Sequence, residues 1–184
     1  MVTKVAEEYG KRLNRDLKPM SEVLITQGAS GALACYISAF LGQGDEVVMF
    51  EPLWSVYQDF IEIAGGKSTF VPLRCINDEW VFDPEELRAA LKRPEAKIFI
   101  FTSPHNPCGK VFSLEEMNTI SQILDECPHV VCLHDSCYSD LTYDGHQNHW
   151  FASISNNWER TITIVSSGKL LNATAWRIGW AIGP

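Results

Sequence analysis

Lys169 stands three residues after Ser166 and eight before Arg177, and all three follow the β-branched run Thr161-Ile162-Thr163-Ile164-Val165. Such a run reads as a buried strand, which places the lysine just past a strand's carboxyl end, where open α/β sheets bind ligands. A hydroxyl and a guanidinium at these spacings can close on one phosphate while the amine faces another group. Taken alone, the same spacing also describes a solvated loop. Asp135 ends a second apolar run, Val130-Val131-Cys132-Leu133. A carboxylate there is costly unless it meets a cation or hydrogen-bond donors, as a helix N-cap or ion pair would also provide. Asn106 lies between Pro104 and Pro107, two prolines that make a rigid turn and fix the direction of its amide. Gly28-Ala29-Ser30-Gly31 follows a short strand and permits a tight turn, and free amides at the start of the next helix suit a phosphate.

These groups need elements to hold them. Val5, Tyr9 and Leu13 recur at helical spacing, which predicts an amphipathic helix over 2–17 that stops before Pro19. Strands are expected at 23–26, 47–50, 68–73, 97–101, 130–133, 161–165 and 176–182, seven in all. Between them fall helices over 32–41, from about Glu51 to Ala64, one opened by Asp83-Pro84-Glu85-Glu86, and one opened by Ser113-Leu114-Glu115-Glu116. Asp83 fits an N-cap with proline in the first turn, and Ser113 with Glu116 fits a capping box. The alternation predicts an α/β sandwich, a mostly parallel sheet with helices on both faces.

The layout resembles the pyridoxal-phosphate aminotransferases of fold type I, class I/II, over about Val5 to Pro184. Five motifs follow the family's order. The resemblance implies that Lys169 carries the cofactor as a Schiff base and that Ser166 and Arg177 hold its phosphate with the turn Gly28, Ala29 and Ser30. It implies that Trp54, two places after Pro52, stacks on the pyridine ring, although an ordinary core tryptophan would have the same surroundings in sequence. Asn106 and Tyr138 would meet the phenolic oxygen, and Asp135 would keep the ring nitrogen protonated. The large domain of that family also has an antiparallel last strand. Detail at Glu51-Pro52, Pro104-His105-Asn106-Pro107 and Trp158-Glu159-Arg160-Thr161 is closest to the kynurenine and glutamine aminotransferase branch. The sequence departs from the usual pattern at Ser136, Asn172 and Ala175, none of them a cofactor contact named here.

By this resemblance, residues 1–184 are the cofactor-binding large domain, without an N-terminal segment and a C-terminal small domain that carries the arginine for the substrate carboxylate. The intact enzyme is expected to be a homodimer exchanging an amino group between an amino acid and a 2-oxo acid, and the 184-residue chain alone to turn over poorly. Two other outcomes stay open: β-elimination from cysteine conjugates on the same cofactor, and a non-catalytic cofactor-binding fragment. A dinucleotide-binding dehydrogenase fits less well, because Gly28-x-x-Gly31 lacks the first glycine of GxGxxG.

Composition sets wider bounds. A net charge of −8 argues against nucleic acid or an anionic membrane as partner. Six cysteines without regular CxxC spacing read as reduced interior thiols, and the alternation Cys132, His134 against Asp135, Cys137 argues against a metal site. His146 and His149 read as exposed loop residues. A cytoplasmic setting is expected, with a mitochondrial one open if a leader precedes Met1.

Overall fold

The computed structural model describes residues 1–184. Seven strands, β1 (Val23–Gln27), β2 (Glu46–Glu51), β3 (Lys67–Pro72), β6 (Ala96–Thr102), β7 (Val131–Asp135), β8 (Thr161–Ser166) and β9 (Ile178–Ile182), form one sheet in the order β1-β9-β8-β7-β6-β2-β3. A separate hairpin joins β4 (Arg74–Ile76) to β5 (Glu79–Val81). β9 runs antiparallel to both its neighbours, and the other pairs are parallel. The three-layer architecture and its antiparallel last strand are therefore as the sequence implied.

Alternation along the central strands builds two cores. Val47 and Met49 of β2 and Ile98 and Ile100 of β6 pack with α2 (Gly28–Phe40) and α3 (Val56–Ile63). Their neighbours Val48, Phe50, Phe99 and Phe101 point the other way, against α4 (Pro84–Leu91) and α5 (Leu114–Asp125). A strand covered on both faces has to be apolar at every position, which is why these strands read as continuous runs. Farther along the second face, α1 (Val2–Arg12) lays Val5, Ala6 and Tyr9 against Val23, Val165 and Ile182. The two expected caps form: Asp83 accepts from the Glu85 amide, and Ser113 and Glu116 exchange both bonds of a capping box. Caps of this kind contribute about 1 kcal/mol each.

Several boundaries differ from expectation. α1 ends at Arg12 rather than Leu17, because Asn14 takes a left-handed conformation (φ 49°) and turns the chain back, while Leu13 and Leu17 stay buried. α2 starts at Gly28, four residues early, so Ala29 and Ser30 lie in its first turn. β9 starts at Ile178, since Thr174–Trp176 form one 3₁₀ turn before it. The β4–β5 hairpin was not expected at all. Its Asn77-Asp78 turn has positive φ at both residues, the pattern of a two-residue hairpin. The cysteines are all free, but Cys35 and Cys75 are exposed, contrary to a wholly interior set.

Parallel order positions the site. The carboxyl ends of β1, β2, β6, β7 and β8 reach the same edge of the sheet, and antiparallel β9 begins there. Cross-strand partners line these ends up: Thr102 opposite Asp135, Ser166 opposite Gly179, and Gln27 opposite Ile178.

Just below that edge, His134 is fully buried and stacks on Phe101, with ring centroids 4.8 Å apart. Burial holds its imidazole neutral, down to about 3. The unfolded chain takes up that proton near pH 6.5, so this contribution to stability is complete above pH 6.5 and is lost as the pH falls towards 3. Two pH units below 6.5 the loss is roughly 2–3 kcal/mol. His134→Phe keeps the stack and removes the titration. Urea unfolding at pH 7 and pH 4.5 should show a smaller drop for the variant than for the wild type, and equal drops would mean that His134 does protonate in the fold.

Candidate active site

Five segments converge on a cavity of about 240 Å³ at this edge. Its walls contain Ala29, Ser30, Trp54, Asn106, Asp135, Tyr138, Ser166, Lys169 and Arg177, nine of the ten residues singled out in the sequence. The tenth, Gly28, lies directly behind Arg177: a Cβ at Gly28 would come within 2.7 Å of the guanidinium. A larger cleft of about 820 Å³ lies beneath the β4–β5 hairpin and contains none of these residues. Its Lys110 is already bonded to Glu116 and to the Trp80 carbonyl, both at 2.6 Å.

One end of the small cavity is electropositive. The first turn of α2 borders it at Ala29 and Ser30, and Arg177 reaches Ser30 Oγ at 3.4 Å and the Thr174 carbonyl at 3.2 Å. Ser166 Oγ accepts from the Gly168 amide at 3.2 Å, which leaves its own proton free to donate. Arg177 adopts φ 51°, unusual for a residue with a side chain, and this aims it back across the turn. Helix amides, two hydroxyls and a guanidinium together make a site for a phosphate-like anion.

The other end holds Asp135, only 5% exposed. Its Oδ2 accepts from the Tyr57 hydroxyl at 2.6 Å and its Oδ1 from the Cys137 amide at 3.0 Å. It takes part in none of the chain's salt bridges. A carboxylate buried without a cation of its own chain, and with lone pairs still open, is suited to a cationic N–H on a ligand. Burial, and then Asp135, raise the Tyr57 phenol well above its usual range, and the same two causes raise the Cys137 thiol.

Between the ends, Asn106 Nδ2 donates to the Tyr138 hydroxyl at 3.3 Å. Burial followed by Asp135 raises the Tyr138 phenol, so it too stays protonated. Lys169 rides on the four-residue helix α6 (Ser167–Leu170), with Nζ 5.9 Å from the centre of the Tyr138 ring and no carboxylate partner. Half-buried Trp54 meets Tyr57 edge to face at 5.3 Å.

Sequence reasoning missed Tyr57, Cys137 and Thr174, which also line the cavity. Tyr57 had a signal, since it stands three residues after Trp54 where a helix begins and so shares its side. Nothing in the sequence marked the other two.

The family model described as "Aminotransferase class I and II" matches residues 1–184. The chain belongs to this family. Among curated relatives, kynurenine–oxoglutarate transaminase 1 of Mus musculus is 39% identical over 193 residues, covering 100% of this chain and 45% of that protein. The N-succinyldiaminopimelate aminotransferase of Mycobacterium tuberculosis superposes with a TM-score of 0.95 at 34% identity, over 100% of this chain and 47% of that one. Cystalysin of Treponema denticola, whose structure contains pyridoxal 5'-phosphate, shares the fold with a TM-score of 0.91 at 23% identity, over 98% of this chain and 46% of its own. The chain thus spans a little under half the length of the relatives it matches.

The anion end depends on Gly28, whose φ of +67° disfavours any side chain and whose missing Cβ makes room for Arg177. Gly28→Ala should cost about 1–2 kcal/mol in urea unfolding for the backbone conformation alone. It should also weaken the binding of inorganic phosphate, followed by calorimetry. Unchanged values in both measurements would show that the turn relaxes without consequence.

Proposed function

We propose that the protein is a pyridoxal-phosphate-dependent aminotransferase, and that residues 1–184 are its cofactor-binding domain. In this reading the intact enzyme, a homodimer, exchanges an amino group between an amino acid of the kynurenine, glutamine or aromatic type and a 2-oxo acid. The substrate class rests on the kynurenine–oxoglutarate transaminases among its relatives. One observation carries the cofactor: a buried carboxylate without a cation of its own lies across the cavity from a phosphate-type cradle, and an unpaired lysine amine lies on the cavity wall.

The donor set fits pyridoxal phosphate. When bound, the cofactor supplies an aldehyde that condenses with amines and a protonated ring that withdraws electrons from the substrate Cα. Ser30, Ser166, Arg177 and the first amides of α2 would hold the phosphate. Asp135 would receive the ring N–H and favour its protonated form, Trp54 would stack on the ring, and Asn106 and Tyr138 would meet the phenolic oxygen. Lys169 would hold the aldehyde, and its amine would be the group placed to move a proton at the substrate Cα. Such stacking by Trp54 would add roughly 0.5–1.5 kcal/mol beyond buried area.

Two measurements test this reading. Borohydride reduction of the protein mixed with pyridoxal phosphate should fix the cofactor on a single peptide containing Lys169, and Lys169→Ala should abolish the labelling. A label on another lysine would refute the assignment. Asp135→Asn should retain the label while slowing exchange of the Cα hydrogen of kynurenine by on the order of 10²-fold. Exchange at the wild-type rate would remove Asp135 from the chemistry.

A further inference from the structure

Tyr57 stands where three cavity-forming segments meet. Its ring packs edge to face on Trp54, at the start of its own helix. Its hydroxyl lies 2.6 Å from Asp135 Oδ2 at the end of β7, and 3.0 Å from Thr102 Oγ1 at the end of β6. Four residues beyond Thr102, the turn presents Asn106 to the cavity. Tyr57 therefore touches the stacking tryptophan, the carboxylate and the root of the asparagine turn.

The direction of these bonds follows from what each group can do. The phenol is the donor to Asp135 Oδ2, so Tyr57 gives its single proton to the carboxylate. The 3.0 Å contact then runs the other way, with the Thr102 hydroxyl donating to the tyrosine oxygen. Both hydroxyls are buried, and each has only these partners to satisfy it. With the Cys137 amide fixing Oδ1 and Tyr57 fixing Oδ2, the carboxylate plane is set from both sides while a lone pair on each oxygen stays open.

We propose that Tyr57, backed by Thr102, is a positioning residue that holds the Asp135 carboxylate in the orientation that receives the ring nitrogen of the cofactor. The inference rests on the cofactor reading above. Tyr57 touches no reacting atom, and its effect passes through Asp135. A tyrosine that merely filled the core would contribute the same packing whether or not the carboxylate were present.

That difference defines the test. Pyridoxal phosphate affinity is measured by equilibrium dialysis for the wild type, Tyr57→Phe, Asp135→Ala and the double variant, with circular dichroism to confirm folding. Tyr57→Phe keeps the ring and its contact with Trp54, and should weaken binding about tenfold when Asp135 is present, as expected for a lost hydrogen bond to a charged group. With Asp135→Ala already in place, the same change should cost less than twofold. An equal penalty in both backgrounds would overturn the positioning role and leave the cofactor reading intact, whereas a wild type that binds no pyridoxal phosphate would overturn both. If Tyr57→Phe fails to fold, Thr102→Val and Thr102→Ser serve instead: the valine should weaken binding only when Asp135 is present, and the serine should restore it. Valine that binds like the wild type would overturn the proposal.

Discussion

A buried carboxylate without a neutralising cation is the constraint around which the site is arranged. Transferring an ion from water into a protein interior is unfavourable by several kcal/mol even after relaxation. Asp135 is tolerated because strand order delivers donors to it from separate parts of the chain: a phenol from the helix after β2, and an amide from its own turn. Each of those donors in turn needs a fixed base. The sheet provides one, because the ends of β6 and β7 are paired directly at Thr102 and Asp135.

The rest of the fold supplies stiffness. The two apolar cores press on β2, β6 and β7 from opposite sides, so the strand ends have little freedom to separate. A close-packed interior transmits displacement instead of absorbing it. Binding groups placed on such ends keep their mutual distances without a ligand to organise them. The cationic end is built differently, from a turn, a short helix and the exposed residues 174–177, which lie at the sheet's other margin.

Much of this was legible in the sequence, for reasons that differ by element. The central strands announced themselves because burial on both faces favours apolar residues at consecutive positions, and the caps of α4 and α5 because few side chains can satisfy free helix amides. Nine motif residues meet in one cavity because each follows a strand whose direction the pattern already implied. What escaped was set by tertiary contacts or by single backbone angles. The early end of α1 depends on the conformation of Asn14, and the late start of β9 on that of Arg177. The bond from Tyr57 to Asp135 joins residues 78 apart in sequence, which no local pattern announces.

The alternation along Val47 to Phe50 of β2 and Ile98 to Phe101 of β6 also bears on how such a chain can change length over generations. Neighbouring residues serve different cores, so inserting or deleting one residue within either strand would exchange every later side chain between the two faces. Substitution there can be gradual, but a change of length is all-or-none. The hairpin tip at Asn77-Asp78 carries no such bookkeeping, as it joins two short strands that pair only with each other. The hairpin and the connecting loops can lengthen or shorten while the spacing of the strand ends beneath the site stays the same.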